Sequence, residues 1–264
     1  MIWRDNVRQS IAYAALATAL LSVRPLSSSA ADPAPAAKPS PVRRDAKAYG
    51  EWRIQVKPDK MQAYANLIES QGLPLFREAG GKMVGWWTTL VGNLYEHVTI
   101  WEYDDLGAFE QAAEKLGKDP RFAQFVSERD PLLAGEQNRF LHLTDFSAAP
   151  QLPEQSKVVE HEIHRALFGR REAYLKYMQA EGLPLLKRHG FKVVGPWIVG
   201  VGASHEVTYL FCYDSLQDRE KLVAAFAAHP DARAYSDKVN NMVTGVTTHI
   251  LLPAAFAHAE PVSP

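Results

Sequence analysis

Apolar and hydrophilic side chains alternate through YGEWRIQVK, where Trp52, Ile54 and Val56 share one side of the chain. That period of two predicts a half-buried strand. The spacing then changes. In PDKMQAYANLIES, Met61, Tyr64, Leu67 and Ile68 recur at helical intervals, with Asp59 near the start. Gly72 and Pro74 are expected to break this helix, leaving a short second piece that ends at a Gly80–Gly81 turn. KMVGWWTTLV and YEHVTIWEYD read as two strands joined by a Gly-Asn hairpin turn. DLGAFEQAAEKLG and DPRFAQFVSERDPLL read as helices, the second presenting Phe122, Phe125, Val126 and Leu133 on one side. QNRFLHLTDF closes the series as a strand.

The series then returns. GLPLFREAGGKMVGWW (residues 72–87) comes back 110 residues later as GLPLLKRHGFKVVGPW (182–197), and 15 of the 35 positions from Gly72 to Leu106 are identical in the second copy. Ala63-Tyr64 meets Ala173-Tyr174, and Glu96 meets Glu206. Such self-similarity marks a duplicated domain. The expected boundaries are a first domain at 48–147, a linker at 148–156, a second domain at 157–253 and a disordered tail at 254–264 that contains His258. Each copy runs β-α-β-β-α-(α)-β, a ferredoxin-like order, which makes the fold class α+β. A sheet with helices on one face leaves its other face bare. Two copies remove that problem by closing sheet against sheet into an intrachain dimeric α/β-barrel.

The first thirty residues have a different character. Two arginines (Arg4, Arg8) precede the apolar run Ser10–Val23, and small residues around Ala30 and Ala31 suit cleavage. This is the plan of a secretory signal over residues 1–31, and the run is short for a membrane span, which needs about 20 residues. The Pro/Ala-rich stretch 32–47 reads as an extended tether. A periplasmic or secreted protein is expected, without a membrane span after cleavage. Twenty-nine basic and 30 acidic residues give a net charge of -1, which argues against nucleic-acid partners. The single cysteine, Cys212, lies in the apolar run VTYLFCY and reads as a buried, inert thiol.

At GLPLFREAGGKMVGWWTTLVGNLYEHVTIWEYDDL the chain resembles the NIPSNAP family, with its Gly/Lys-rich turn, VG-W strand and following W-x-Y-x-x-L strand. Lys57–Lys60 and Asn138–Leu141 are similar to that family's first turn and closing strand. The likeness covers residues 49–145 and 158–252, with departures at Ala166–Arg170 and at Phe211, where the first copy has Trp101. The resemblance implies the dimeric α/β-barrel fold, whose superfamily includes small monooxygenases and haem-binding or haem-degrading proteins. Eukaryotic relatives are mitochondrial and act through partner proteins. The family commonly shows a histidine just before the aromatic of the third strand; here Val98, Thr99, Thr208 and Tyr209 stand there, and His97 is one step away.

Alternation along the third strand puts His97, Thr99, Trp101 and Tyr103 on one face, and Tyr209, Phe211 and Tyr213 on the matching face of the second copy. Were that face to line the barrel, these residues with Trp87 and Trp197 would form an aromatic cavity with polar handles, suited to a small molecule. The competing reading packs the same rings as core. A lesser metal candidate is EHEIH, with Glu162, His164 and a third ligand from His205; solvated edge residues, or an ion pair with Arg165 or Arg188, are the simpler reading. His189 is expected to be exposed. Glu96 and Glu206 read as acid–base candidates or as hairpin-end partners of Lys82 and Lys192. Asp104-Asp105 and Asp214-Ser215 read as helix caps. No cofactor is expected, and no catalytic constellation stands out. The favoured function is therefore binding of a small apolar or aromatic ligand, by a monomeric pseudo-dimer or a homodimer. A cofactor-poor monooxygenase or isomerase and a protein-interaction scaffold are the alternatives.

Overall fold

Every period-two stretch forms a strand in the computed structural model of the chain, which describes residues 47–257. The signal-like segment, the Pro/Ala-rich tether up to residue 46 and His258 lie outside the described residues. The first copy contributes β1 (Ala48–Val56), β2 (Lys82–Val91), β3 (Glu96–Tyr103) and β4 (Leu133–Leu143). The second contributes β5 (Val158–Ala166), β6 (Lys192–Val201), β7 (Glu206–Tyr213) and β8 (Val243–Pro253). They close into one antiparallel barrel in the order β1-β3-β2-β8-β5-β7-β6-β4. The halves join through β2 with β8 and β4 with β6, so neither half keeps an unpaired strand edge at the seam.

Closure gives every strand one face toward the barrel axis and one toward the helices. Axis-facing apolar residues come from both copies: Tyr49, Trp87, Val98, Ile100 and Leu141 pack with Val159, Trp197, Leu210, Cys212 and Leu251. The helix-facing layers stay separate, one around Trp86, Trp101 and Phe125, the other around Tyr174, Tyr209 and Phe211. Cys212 is buried, and burial pushes its thiol up to about 11, as expected of an inert side chain. Both tryptophans on the axis lie back over a glycine. A Cβ on Gly85 would sit 2.2 Å from the Trp87 ring, and one on Gly195 2.7 Å from Trp197.

The helices are α1 (Met61–Leu67), α2 (Leu73–Glu78), α3 (Leu106–Lys118) and α4 (Pro120–Arg129) in the first half. Their counterparts are α5 (Arg171–Tyr177), α6 (Leu183–Arg188), α7 (Leu216–Ala227) and α8 (Pro230–Asn240). Gly72 and Pro74 do not break the first helix. A π-helical turn, Ile68–Gly72, carries it from α1 into α2, and Met178–Gly182 does the same between α5 and α6. Proline lacks an N–H and crowds the carbonyl four residues back, and the wider turn relieves both problems without ending the helix. The β2–β3 connection is also longer than a Gly-Asn pair. It spans residues 92–95, with Gly92 (φ 125) and Tyr95 (φ 63) in the left-handed region. Asp105 and Ser215 cap α3 and α7 as expected, accepting from the N–H of Ala108 (2.7 Å) and Asp218 (3.1 Å).

The segments after β4 and β8 cross to the opposite half. Thr144 N–H bonds to Pro196 O, and Phe146 packs into the second-half helix-facing core. Ala254 N–H bonds to Trp86 O, and Phe256 packs into the first-half core. Each copy thus caps the other. Among the described residues no helix is long and apolar enough to cross a membrane.

Candidate functional site

The nine aromatic and polar residues expected to line one cavity are divided by the barrel wall. Only Trp87 and Trp197 face the axis. Trp101, Tyr103, Tyr209, Phe211 and Tyr213 belong to the helix-facing layers, and His97 and Thr99 share that side of β3. Alternation groups His97 with Trp101 correctly, but it carries no information about which parity faces the axis. The helices decide that. Trp101 packs edge-on to Phe76 of α2 (5.6 Å between centroids) and Tyr103 to Phe109 of α3 (5.3 Å). Burial pushes the Tyr103 phenol up to about 12, and Thr99 Oγ1 donates to Gly85 O at 3.0 Å.

The first-half layer contains a polar pair under aromatic cover. His97 Nδ1 accepts from Trp86 Nε1–H at 3.1 Å. An indole nitrogen only donates, so a neutral His97 carries its proton on Nε2. Burial lowers the imidazole pKa to about 4, which keeps it neutral near pH 7. The Tyr64 ring of α1 lies 4.9 Å from it, and Phe256 stacks on it at 6.4 Å. His97 Nε2 and Tyr64 OH are both buried without a hydrogen-bond partner. His97 is 1% exposed and Tyr64 fully buried.

The second half places a histidine under the equivalent tyrosine from another strand. Tyr174 O–H meets His164 Nδ1 at 2.8 Å, and His164 Nε2 meets Glu162 Oε2 at 2.8 Å. A carboxylate only accepts, so the proton sits on Nε2 and Nδ1 accepts from the phenol. Tyr209 lies edge-on to the same histidine at 5.1 Å, and burial raises both phenols well above their ordinary value. In the first copy the ladder pairs Ile54 with His97; in the second it pairs His164 with Val207. One aliphatic and one imidazole occupy the pair in both copies, with the strands exchanged.

EHEIH forms neither a solvated edge nor a metal centre with His205. β5 is hydrogen-bonded on both sides, and His205 is exposed in the β6–β7 turn. Glu162, His164 and His205 do not come together as a donor group. Glu160 pairs with Arg219 of α7 and accepts from Tyr213 O–H at 2.9 Å, so neither Arg165 nor Arg188 is its partner.

Charged side chains occupy the barrel axis at one end. Glu51, fully buried, accepts from Arg139 Nε (3.1 Å) and Nη2 (2.9 Å). Arg139 also donates to Glu206 (2.6 Å) and Thr208 (3.0 Å), and Arg165 donates to Glu206 at 3.1 Å. Arg53 donates to Glu96 (2.7 Å) and to His249 Nε2 (2.9 Å). Burial alone would raise the Glu51 carboxyl; Arg139 and His161 outweigh it and hold the group well below the usual carboxylate range. Burial, helped by Arg53, lowers His249 to about 4. Three carboxylates face three guanidiniums, an arrangement that neutralises buried charge. Glu96 and Glu206 therefore do not pair with Lys82 and Lys192. Lys82 lies opposite Glu102, at the far end of an antiparallel hairpin, and pairs with Asp104, as Lys192 does with Asp214.

Tyr64, Trp86, Tyr174 and Phe256 were not legible as site residues. Only Tyr64 and Tyr174 carry a signal, the Ala-Tyr dipeptide kept in both copies: a helix that needed only an apolar face kept a hydroxyl.

Comparison with known proteins agrees with this architecture. The NIPSNAP family profile matches residues 51–148 and 165–258. Protein NipSnap of Drosophila melanogaster is 27% identical over 183 residues, covering 66% of this chain and 64% of that protein. NipSnap homolog 2 of Danio rerio is 26% identical over 176 residues, covering 64% of this chain and 60% of that protein. The chain thus spans less than two thirds of the length of these relatives. A Lactobacillus acidophilus protein provisionally described as a monooxygenase superposes with a TM-score of 0.57 at 11% identity, over 82% of this chain and all of that one. This last likeness concerns the fold alone. Two family matches in tandem, on two ferredoxin-like halves that close one barrel, show that the chain belongs to the NIPSNAP family.

Proposed function

We propose that the protein is an exported binder of a small, mainly apolar molecule, held on the helix-facing side of the first-half sheet and not at the barrel axis. One observation carries this reading: His97 Nε2–H and Tyr64 OH are buried without partners within an aromatic layer. Leaving such groups unpaired costs about 1–3 kcal/mol each, and a ligand oxygen would offset that cost. The imidazole donates, so the ligand presents an acceptor, as an aromatic ketone, quinone or phenolate does. Trp86 and Phe256, themselves in edge-on contact at 5.4 Å, supply apolar surface beside the imidazole. Export rests on the N-terminal pattern of Arg4, Arg8 and the apolar run Ser10–Val23. Closure of the barrel within one chain supports a monomer.

A second reading, a cofactor-poor isomerase or monooxygenase, is favoured by the Glu162–His164–Tyr174 chain. Its phenol could pass a proton inward while the carboxylate, part-exposed, exchanges with solvent. One experiment addresses both readings. A panel of aromatic ketones and phenols is titrated into the wild type, His97→Phe and Tyr174→Phe, following both binding and conversion. The binding reading expects about a tenfold weaker complex in His97→Phe, the worth of one hydrogen bond. Unchanged affinity there would sink it. Turnover that stops in Tyr174→Phe would establish the second reading instead.

A further inference from the structure

The two copies share a corner where the second short helix of each half meets the start of the last helix, and its chemistry differs between them. In the first half the corner is closed by a guanidinium. Arg121 Nη2 donates to Glu78 Oε2 at 2.6 Å and to Asp119 Oδ2 at 2.7 Å. The 110-residue offset turns Glu78 into Arg188, Ala79 into His189, Asp119 into His229 and Arg121 into Asp231. The bridging cation is lost and two imidazoles face one carboxylate.

We infer that His189, His229 and Asp231 form a binding site for a divalent transition-metal ion of the zinc, cobalt or nickel class, which takes the place that Arg121 holds in the first half. One donor atom from each residue lies within 4.8 Å of the others. His189 Nε2 and His229 Nδ1 each stand 3.5 Å from Asp231 Oδ2. Ligands about 2.1 Å from a tetrahedral ion are separated by about 3.4 Å, so both contacts already have the spacing that such an ion requires. The imidazoles are set by packing. His189 rests edge-on against Phe226 of α7 at 5.0 Å, with the two histidine rings 4.6 Å apart. His189 is therefore half-buried, not the free turn residue expected from KRHG.

Two nitrogens and one oxygen favour borderline transition metals over calcium or magnesium, which take oxygen cages. Three protein ligands leave at least one position open to water or to another ligand. His229 Nδ1 currently accepts from Asp231 N–H at 3.2 Å as the cap of α8. Binding through Nδ1 exchanges that contact for the metal and leaves the exposed N–H to solvent. Because the ligands come from the end of α6 and the start of α8, the ion would tie the two segments together. This inference is independent of the groups around His97 and Tyr174.

The full chain, purified without a histidine tag and stripped with a chelator, is titrated with Co2+ and Zn2+. Affinity is followed by calorimetry, and Co2+ coordination by its visible d–d absorption. The expected result is one ion per chain, a Co2+ spectrum bleached by Zn2+, little response to Ca2+, and weaker binding as pH falls and protons compete for imidazole. His229→Asn keeps an N-cap side chain and Asp231→Asn keeps the shape of the carboxylate; each should weaken binding by about tenfold or more for loss of a ligand. His164→Gln, at the buried Glu162 pair, should leave affinity unchanged. Substoichiometric binding, equal affinity for Ca2+, or unaltered affinity in both His229→Asn and Asp231→Asn overturns the site, as does loss of binding in His164→Gln alone.

Discussion

His97 shows how little the identity of a residue says before its surroundings are known. Its pattern neighbours suggested a cavity-lining handle, whereas its contacts make it a neutral donor held by Trp86 and Tyr64. That assignment has a thermodynamic consequence. The unfolded imidazole titrates near 6.5 and the folded one near 4, so between those values the unfolded chain binds the extra proton. Stability from this group is complete above about pH 6.5 and falls as acid is added, reaching a loss of about 3 kcal/mol by pH 4. His249, also lowered to about 4, acts in the same direction. Urea unfolding from pH 7 to pH 4 should therefore show falling stability, and a shallower slope in His97→Phe. An identical slope in the variant would remove His97 from the acid-sensitive groups.

Among the larger pieces, the paired strands were the most legible. Alternation found β1 to β8, and cap residues located the starts of α3 and α7. The helix before β2 was harder to read, since Gly72 and Pro74 signal a break equally well whether the chain ends its helix or widens one turn. The arms after β4 and β8 carry no periodic signal, and their role depends on partners in the opposite copy. Phe256 makes a testable instance, because it packs on Trp86 at 5.4 Å and stacks on His97. Phe256→Ala should cost about 1–3 kcal/mol, less than a fully buried phenylalanine because the ring is part-exposed. It should also raise the accessibility of tryptophan to acrylamide quenching. No change in either measurement would mean that the arm does not cover the first-half core.

The barrel is a joint product of both copies, and its axis is where they depend on each other most. The cross-strand pair Glu51–Arg139 has His161–His249 as its counterpart in the second copy, and Arg139 reaches across to Glu206. Arg139→Met would leave Glu51 buried beside His161 with its main partner gone. A loss of about 3–5 kcal/mol is expected, as for breaking other buried pairs. Since β2–β8 and β4–β6 bind the halves, probes in either half should report one shared urea transition, shifted equally in the variant. Two separate transitions would show that the halves fold as independent units.

Duplication, strand and helix order, and the need for each sheet to cover its bare face could all be read from the chain, because period and repeat are local or self-referential. The parity of strand residues that faces the axis could not be read, since a pleated strand offers two equivalent sides until helices pack on one. Nor could the partners of Glu51, Glu96 and Glu206, whose arginines approach across the barrel. Only the closed structure brings Tyr64 to His97, Tyr174 to His164 and His189 to His229, because contact between distant segments is a property of packing and leaves no spacing in the sequence.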